Sequence, residues 1–323
     1  MVKGGTIPTF FVEADSIPEA HYKALSKIWE EGMNMRTQYD RRNDDGSFVD
    51  PPGKDARVLI SVRDPFSEPR FPPLSFSERG KYILELLGVK DENVIPREEL
   101  IRGIDEEAPD TRWPYTYSGR LINHPTSGGP VDQISGALER LVEDPISRRA
   151  VMTTRSAEID NLLKVDIPCL GEVHLRAPED ENGVLTLNMT TYWRSRDFLK
   201  AWADNTIAIT YMGRRWADRL SERLSRPVSF KGYADMSTSA HIYGQNFVKI
   251  EGKEGSGKMP FFERFPDAQS YIAASMPSSL MTEAEILPQM RELLKETDQW
   301  GFGPDELATI KGEIAHLEAG NLA

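Results

Sequence analysis

Val184-Leu185-Thr186-Leu187-Asn188-Met189-Thr190-Thr191-Tyr192-Trp193-Arg194-Ser195-Arg196-Asp197 opens with a strict alternation. Leu185, Leu187 and Met189 fall on one side, and Thr186, Asn188 and Thr190 on the other, which is the period of a half-buried strand. The strand closes on Arg194 and Ser195. A guanidinium fork beside a hydroxyl suits a small phosphate, because planar paired donors match its oxygens.

Working outward, the spacing of apolar residues predicts a helix over 20–32, with Leu25, Ile28 and Trp29 on one face. A polar loop over 41–54 precedes a strand over 58–62, and a proline-rich stretch over 65–73 follows. A helix over 77–87 carries Tyr82, Ile83, Leu86 and Leu87. A second, over 132–142, places Ile134, Ala137, Leu138 and Leu141 at i, i+3, i+4 and i+7. Strands are expected over 150–154 and 228–233, and a long helix over 206–224. Two further helices lie within 282–317, separated by Trp300-Gly301-Phe302-Gly303-Pro304. Helices and strands mix without βαβ regularity, so the expected class is α+β. No repeat or long linker divides the chain, and 1–323 reads as a single domain.

The net charge is −12, and a field of that sign repels polyanions, which argues against a nucleic-acid partner. A small anion can still bind where arginines converge. One cysteine allows no internal disulfide, which fits a reducing compartment. The first residues lack the apolar core of a signal peptide, and no run reaches the 18 or so apolar residues of a membrane helix. The expectation is a cytoplasmic protein that does not enter a membrane.

Cys169 stands in Pro168-Cys169-Leu170. A lone cysteine is ordinarily a small buried hydrophobe. As a nucleophile it needs cations that favour the thiolate, and Arg148, Arg149 and Arg194 are the candidates. Arg148 and Arg149 are adjacent, so on a strand they point to opposite faces. His241 and Tyr243, spaced i, i+2 in an extended segment, share one face.

These segments together resemble the thymidylate synthases and their pyrimidine-nucleotide hydroxymethylase relatives. The match runs in order through Val131-Asp132-Gln133-Ile134, Asp144-Pro145-Ile146-Ser147-Arg148-Arg149, Pro168-Cys169, Tyr192-Trp193-Arg194-Ser195-Arg196-Asp197, Asn205 and Ala240-His241-Ile242-Tyr243. It covers roughly 74–250, leaving 1–60 and 255–323 as divergent extensions.

The resemblance implies a large mixed sheet packed with helices, one sheet face forming a homodimer interface. It implies one-carbon transfer (methylation) to C5 of a pyrimidine nucleoside 5′-monophosphate, UMP or dUMP, by addition of the Cys169 thiolate to C6. Arg194 and Ser195 match phosphate ligands, and Arg148 and Arg149 match arginines that reach the neighbouring subunit's phosphate. His241 and Tyr243 match the pair on the sugar hydroxyl, and Asn205 the reader of the base edge. Asp197 matches a residue associated with the folate pterin, and Glu85 a glutamate that manages protons at the base. Tyr115 and Tyr117 both lie near the family's active-site tyrosine, and Tyr115 is taken here. The implied cofactor is 5,10-methylenetetrahydrofolate, with flavin a further candidate reductant; no metal is implied. The alternative is 5-hydroxymethylation of CMP or dCMP, to which Asp204, beside Asn205, offers an acceptor for a cytosine amino group.

Three features depart from the family pattern. Leu170, not histidine, follows the nucleophile. No clear tryptophan-bearing folate segment stands within 94–113, and Ala319-Gly320-Asn321-Leu322-Ala323 does not resemble the family's closing segment.

Overall fold

The structure is a computed structural model that describes residues 5–75, 77–91, 94–102, 112–162, 167–252 and 259–321. Much of 94–113, where the folate segment was sought, and the last two residues lie outside them. The described strands form one large mixed sheet: β1 Thr9–Ala14, β2 Met33–Met35, β3 Gly53–Val62, β4 Val151–Thr153, β5 Leu170–Arg176, β6 Leu185–Trp193, β7 Arg196–Asp197 and β8 Val228–Ile242. Packing divides the chain into two compact units. One comprises 1–76, 193–207 and 232–277, and the other 77–192, 208–231 and 278–323.

In the first unit β3 is central. It runs parallel to β1 (Phe11↔Leu59) and antiparallel to β2 (Met33↔Asp55) and β8 (Asp55↔His241, Leu59↔Met236). β7 adds to β8 in parallel, Arg196↔Ala240 and Asp197↔His241. The chain from β1 to β3 passes through helix α1, Ile17–Glu31. Ser16 caps α1 by accepting from the Glu19 N–H, and Pro18 enters its first turn, where no N–H is missed. α1 buries Ile17, Ala20, Leu25 and Ile28. One parallel β-α-β step therefore occurs in a chain read as lacking βαβ regularity. On one sheet face Phe11, Leu59 and Met236 lie in register and stay 58%, 40% and 45% exposed.

β8 runs nine residues beyond the strand read over 228–233. Asp235 and Ser237 are polar yet buried, so hydrophobic alternation could not reveal the continuation. What makes Asp235 acceptable there is Arg196. The two form an ion pair at 2.6 Å with side chains 1% and 0% exposed. Tyr233 and Ser237 donate to the same carboxylate at 3.1 and 2.8 Å.

In the second unit β4 pairs antiparallel with β5 (Met152↔Val173), and the helix Gln133–Glu143 packs by its buried Ile134, Ala137, Leu138 and Leu141. Asp132 caps that helix through the Ser135 N–H, as the boundary at 132 implied. Helix α2, Arg79–Leu86, packs against the helix Leu287–Lys295, which in turn meets Pro304–Glu318. Neither β1 nor β5 was read from the sequence. Among the described residues no helix is long and apolar enough to cross a membrane.

Removing one partner of a buried ion pair strands the other, at a cost of about 3–5 kcal/mol. Arg196→Met is expected to lower unfolding free energy by about that much in urea titration. Arg63→Met, which breaks an exposed pair with Glu13 and Asp15, should leave the midpoint nearly unmoved.

Candidate active site

In the first unit, the turn after β6 carries Arg194 and Ser195, both half-buried. Thr238 on β8 fastens it, its hydroxyl donating to the Arg194 carbonyl at 2.9 Å. Arg196 closes the turn. Its guanidinium lies 3.7 Å from the centre of the Trp193 ring and donates to the Trp202 carbonyl at 3.1 Å and to Thr206 Oγ1 at 3.0 Å. These bonds fix the start of the helix Trp202–Leu224, and Asn205 is half-buried in its first turn. Asp204 beside it is buried and accepts from Ser75 Oγ at 3.0 Å.

His241 sits in a row of three strands, opposite Asp55 on one side and Asp197 on the other. Burial pushes both carboxyls above the ordinary range, and the nearby imidazole pulls each back. Asp197 Oδ1 accepts the Leu199 and Lys200 N–H groups, both at 3.0 Å. Tyr243 meets the His241 ring edge-on, with centroids 4.5 Å apart.

In the second unit, half-buried Cys169 stands at the bend before β5. The strand behind it is pinned by β4. Thr154 N–H donates to the Gly171 carbonyl at 2.9 Å, and Thr154 Oγ1 to the Leu170 carbonyl. The Tyr115 hydroxyl donates to the Ile167 carbonyl at 3.4 Å, two residues before the cysteine. Tyr115 and Thr116 also line a cavity of about 290 Å³ with Asp91, whose carboxyl burial raises to about 6. Glu85 on α2 is half-buried, and burial pushes its carboxyl up. Lys90 Nζ, 3.4 Å from Glu85 Oε2, holds it back. Arg148 and Arg149 are exposed, between the exposed Ile146 and Val151.

No protein-family model matches the chain. Three archaeal relatives, each described as "Putative thymidylate synthase", do. That of Methanococcoides burtonii is 29% identical over 74% of this chain and 92% of its own length. That of Methanothermobacter marburgensis is 28% identical over 74% and 96%, and that of Methanosarcina barkeri 27% over 71% and 91%. Over about three quarters of its length the chain is thus similar, at a divergent level, to proteins described as thymidylate synthases.

Against the family pattern, the first unit brings Arg194, Ser195, Asp197, Asn205, His241 and Tyr243 onto one turn, one helix start and one pair of strands. The second holds Cys169 and Tyr115 within one hydrogen-bonded segment, with Glu85 on α2 and Arg148 and Arg149 on the surface. Tyr117, the other candidate, has its ring 5.9 Å from that of Tyr115. Sequence reading missed two residues. Asp55 comes to His241 only through cross-strand register. Lys90 reaches Glu85 through a backbone at φ +88°, a left-handed conformation costly for lysine. Its N–H is held by Glu306 Oε1 at 2.6 Å, and its ammonium lies 4.8 Å from the Trp300 ring centre. The glycine at 88 hinted at an unusual turn, but no local pattern marked the lysine.

Lys90 is the cation that lowers the Glu85 pKa against the burial that raises it. Lys90→Met therefore leaves burial unopposed, and Glu85 should hold its proton to higher pH. Carboxyl-carbon NMR titration of Glu85 in both proteins is expected to show an upward move in the variant. An unchanged midpoint would mean that Lys90 does not govern this carboxyl.

Proposed function

We propose that this protein transfers a one-carbon unit to C5 of a pyrimidine nucleoside 5′-monophosphate, UMP or dUMP, leaving a methyl group. The observation that carries this reading is Cys169, half-buried at a pinned bend before β5 in a chain similar to proteins described as thymidylate synthases. Its sulfur adds to C6, the C5–C6 electrons move onto C5 and O4, and C5 becomes nucleophilic. After the new carbon bond forms at C5, that carbon's proton departs, the one-carbon unit parts from its donor and would take a hydride equivalent from the reduced donor to become methyl, and elimination of Cys169 restores the ring. Glu85, with a carboxyl raised by burial and tempered by Lys90, suits proton handling at the base. Arg194 and Ser195 hold the phosphate, and His241 and Tyr243 the sugar.

Asn205 reads the base, since one amide both donates and accepts and so matches O4 and N3–H of uracil. The alternative, 5-hydroxymethylation of CMP or dCMP, drew on Asp204. That carboxylate is turned to Ser75, about 100° around the helix from Asn205, so the uracil reading is preferred.

A folate-type donor supplies the one-carbon unit when bound. Asp197 fits its pterin: Oδ1 is spent on two backbone N–H groups, while Oδ2 carries no hydrogen bond among the described residues and can take a ring N–H. Flavin finds no comparable support and stays a candidate reductant for assay. For the homodimer, support comes from the exposed row Phe11, Leu59 and Met236 and from exposed Arg148 and Arg149. Three exposed apolar side chains in register on one sheet face suit an association surface.

Tritium release from 5-tritiated UMP, dUMP, CMP and dCMP, with and without methylenetetrahydrofolate and flavin, tests the reaction. Release from a uridylate is expected. Cys169→Ala should abolish it while nucleotide binding persists; near-normal release from that variant would refute the assignment. If Arg149 serves the neighbouring subunit, mixing inactive Cys169→Ala and Arg149→Ala chains should restore part of the activity. No recovery despite demonstrated subunit exchange would count against shared sites.

A further inference from the structure

The row Asp55–His241 contains two polar atoms that the described residues leave unsatisfied. Residues paired in register across antiparallel strands project from the same face, with β-carbons about 5 Å apart. Ser239, two residues back along β8, shares that face. Its hydroxyl donates to Asp55 Oδ2 at 2.6 Å and lies 3.4 Å from His241 Nδ1. His241 Nδ1 also lies 3.2 Å from the Ser239 carbonyl, which can only accept, so Nδ1 carries the ring proton. In the neutral ring Nε2 is then an acceptor. Asp55 and His241 are only 5% and 8% exposed, yet Asp55 Oδ1 and His241 Nε2 have no hydrogen-bond partner among the described residues. Unsatisfied buried polar atoms are uncommon because each forfeits its hydration. Both atoms lie on one strand pair, either side of a single bridging serine, and have almost no accessible surface; two neighbouring hydroxyls of a ligand would satisfy both once the side chains over them part.

We propose that Asp55 and His241 bind the vicinal 2′- and 3′-hydroxyls of a ribose, making the substrate a ribonucleoside monophosphate and Asp55 the residue that selects it over the deoxy form. This rests on the reading above in which His241 holds the sugar. The 3′-hydroxyl pairs with His241 Nε2 and the 2′-hydroxyl with Asp55 Oδ1. A hydroxyl both donates and accepts, so it satisfies Asp55 in either protonation state. Deoxyribose brings one hydroxyl for two sites, and Asp55 Oδ1 stays buried without a partner. Sites built to bond a substrate hydroxyl reject the analogue that lacks it far more strongly than apolar pockets reject a missing methylene.

The test is equilibrium binding of UMP, dUMP and 2′-fluoro-2′-deoxy-UMP to the full chain by calorimetry, which needs no turnover. UMP should bind at least about tenfold tighter than dUMP. The fluoro analogue keeps an atom at the 2′ position but loses the donor, so it should group with dUMP. Asp55→Ala, checked for folding by circular dichroism, should bring the UMP to dUMP affinity ratio close to one. Equal or tighter binding of dUMP by the unmodified protein overturns the proposal, as does a ratio that survives Asp55→Ala. Should the variant not fold, the three ligands on the unmodified protein decide alone. If none of them binds, and CMP and dCMP fail as well, the nucleotide reading of the site falls and this proposal with it. If dUMP binds well and UMP poorly, only the ribose assignment falls.

Discussion

The buried pair of Arg196 and Asp235 is the constraint on which the first unit's candidate residues depend. A guanidinium and a carboxylate this deep are tolerable only together, with their remaining bonds filled. The structure fills most of them: Tyr233 and Ser237 on the carboxylate, the Trp202 carbonyl and Thr206 on the guanidinium, while Arg196 Nε has no hydrogen-bond partner among the described residues. Arg196 follows Arg194 and Ser195 directly and precedes Asp197. Trp202 and Thr206 bracket Asn205, and Asp235 lies six residues before His241 on the same strand. One interaction therefore ties together the turn, helix start and strand that carry six of the proposed contacts. None of the six makes the pair itself, so the site side chains stay available for a ligand.

How much of this could be read beforehand follows from how local each signal is. The helix over 132–142 was legible because its period and its aspartate cap lie within one short window, and the structure begins it at Gln133. The turn at Arg194 was legible because it closes an alternating strand. β8 was not, because its second half alternates in polarity only once Arg196 has neutralised Asp235, and that partner is 39 residues away. Asp55 is the same case in sharper form. In the sequence it is one acidic residue in the polar stretch before a strand, and its meaning comes from a register with His241 that neither segment encodes alone. The expected family residues thus rest on motif, whereas the residues beside them, Asp55 and Lys90, are visible only in cross-strand or turn geometry.

The C-terminal helices, which match the family poorly, have a physical role within the second unit. Glu306 spans the turn at Lys90 and the start of its own helix, accepting from the Lys90 and Gly303 N–H groups at 2.6 and 3.1 Å. Glu313, further along, accepts from the Tyr211 hydroxyl at 2.8 Å and from Arg215 at 3.1 Å. Trp300 covers Lys90. A lysine ammonium held between an aromatic ring and a carboxylate has few alternatives to facing Glu85. The divergent tail therefore stabilises a left-handed turn that sets the charge next to a proposed catalytic carboxyl, in a chain whose overall charge is strongly negative.

The leucine at 170, where the family pattern has histidine after the cysteine, bears less on the proposed chemistry than it first suggests. Leu170 opens β5 fully buried, and its carbonyl takes the Thr154 hydroxyl. Leu170 is directed into the core, and Cys169, at the bend before it, is half-buried. Gly171 follows, buried where an added β-carbon would lie 3.1 Å from the Tyr192 ring, so the strand there has room for backbone and no more. A histidine at 170 in this chain would have to bury an imidazole fully and find it a partner. The leucine is what this packing requires, and the departure from the family is better explained by the core behind the cysteine than by the reaction in front of it.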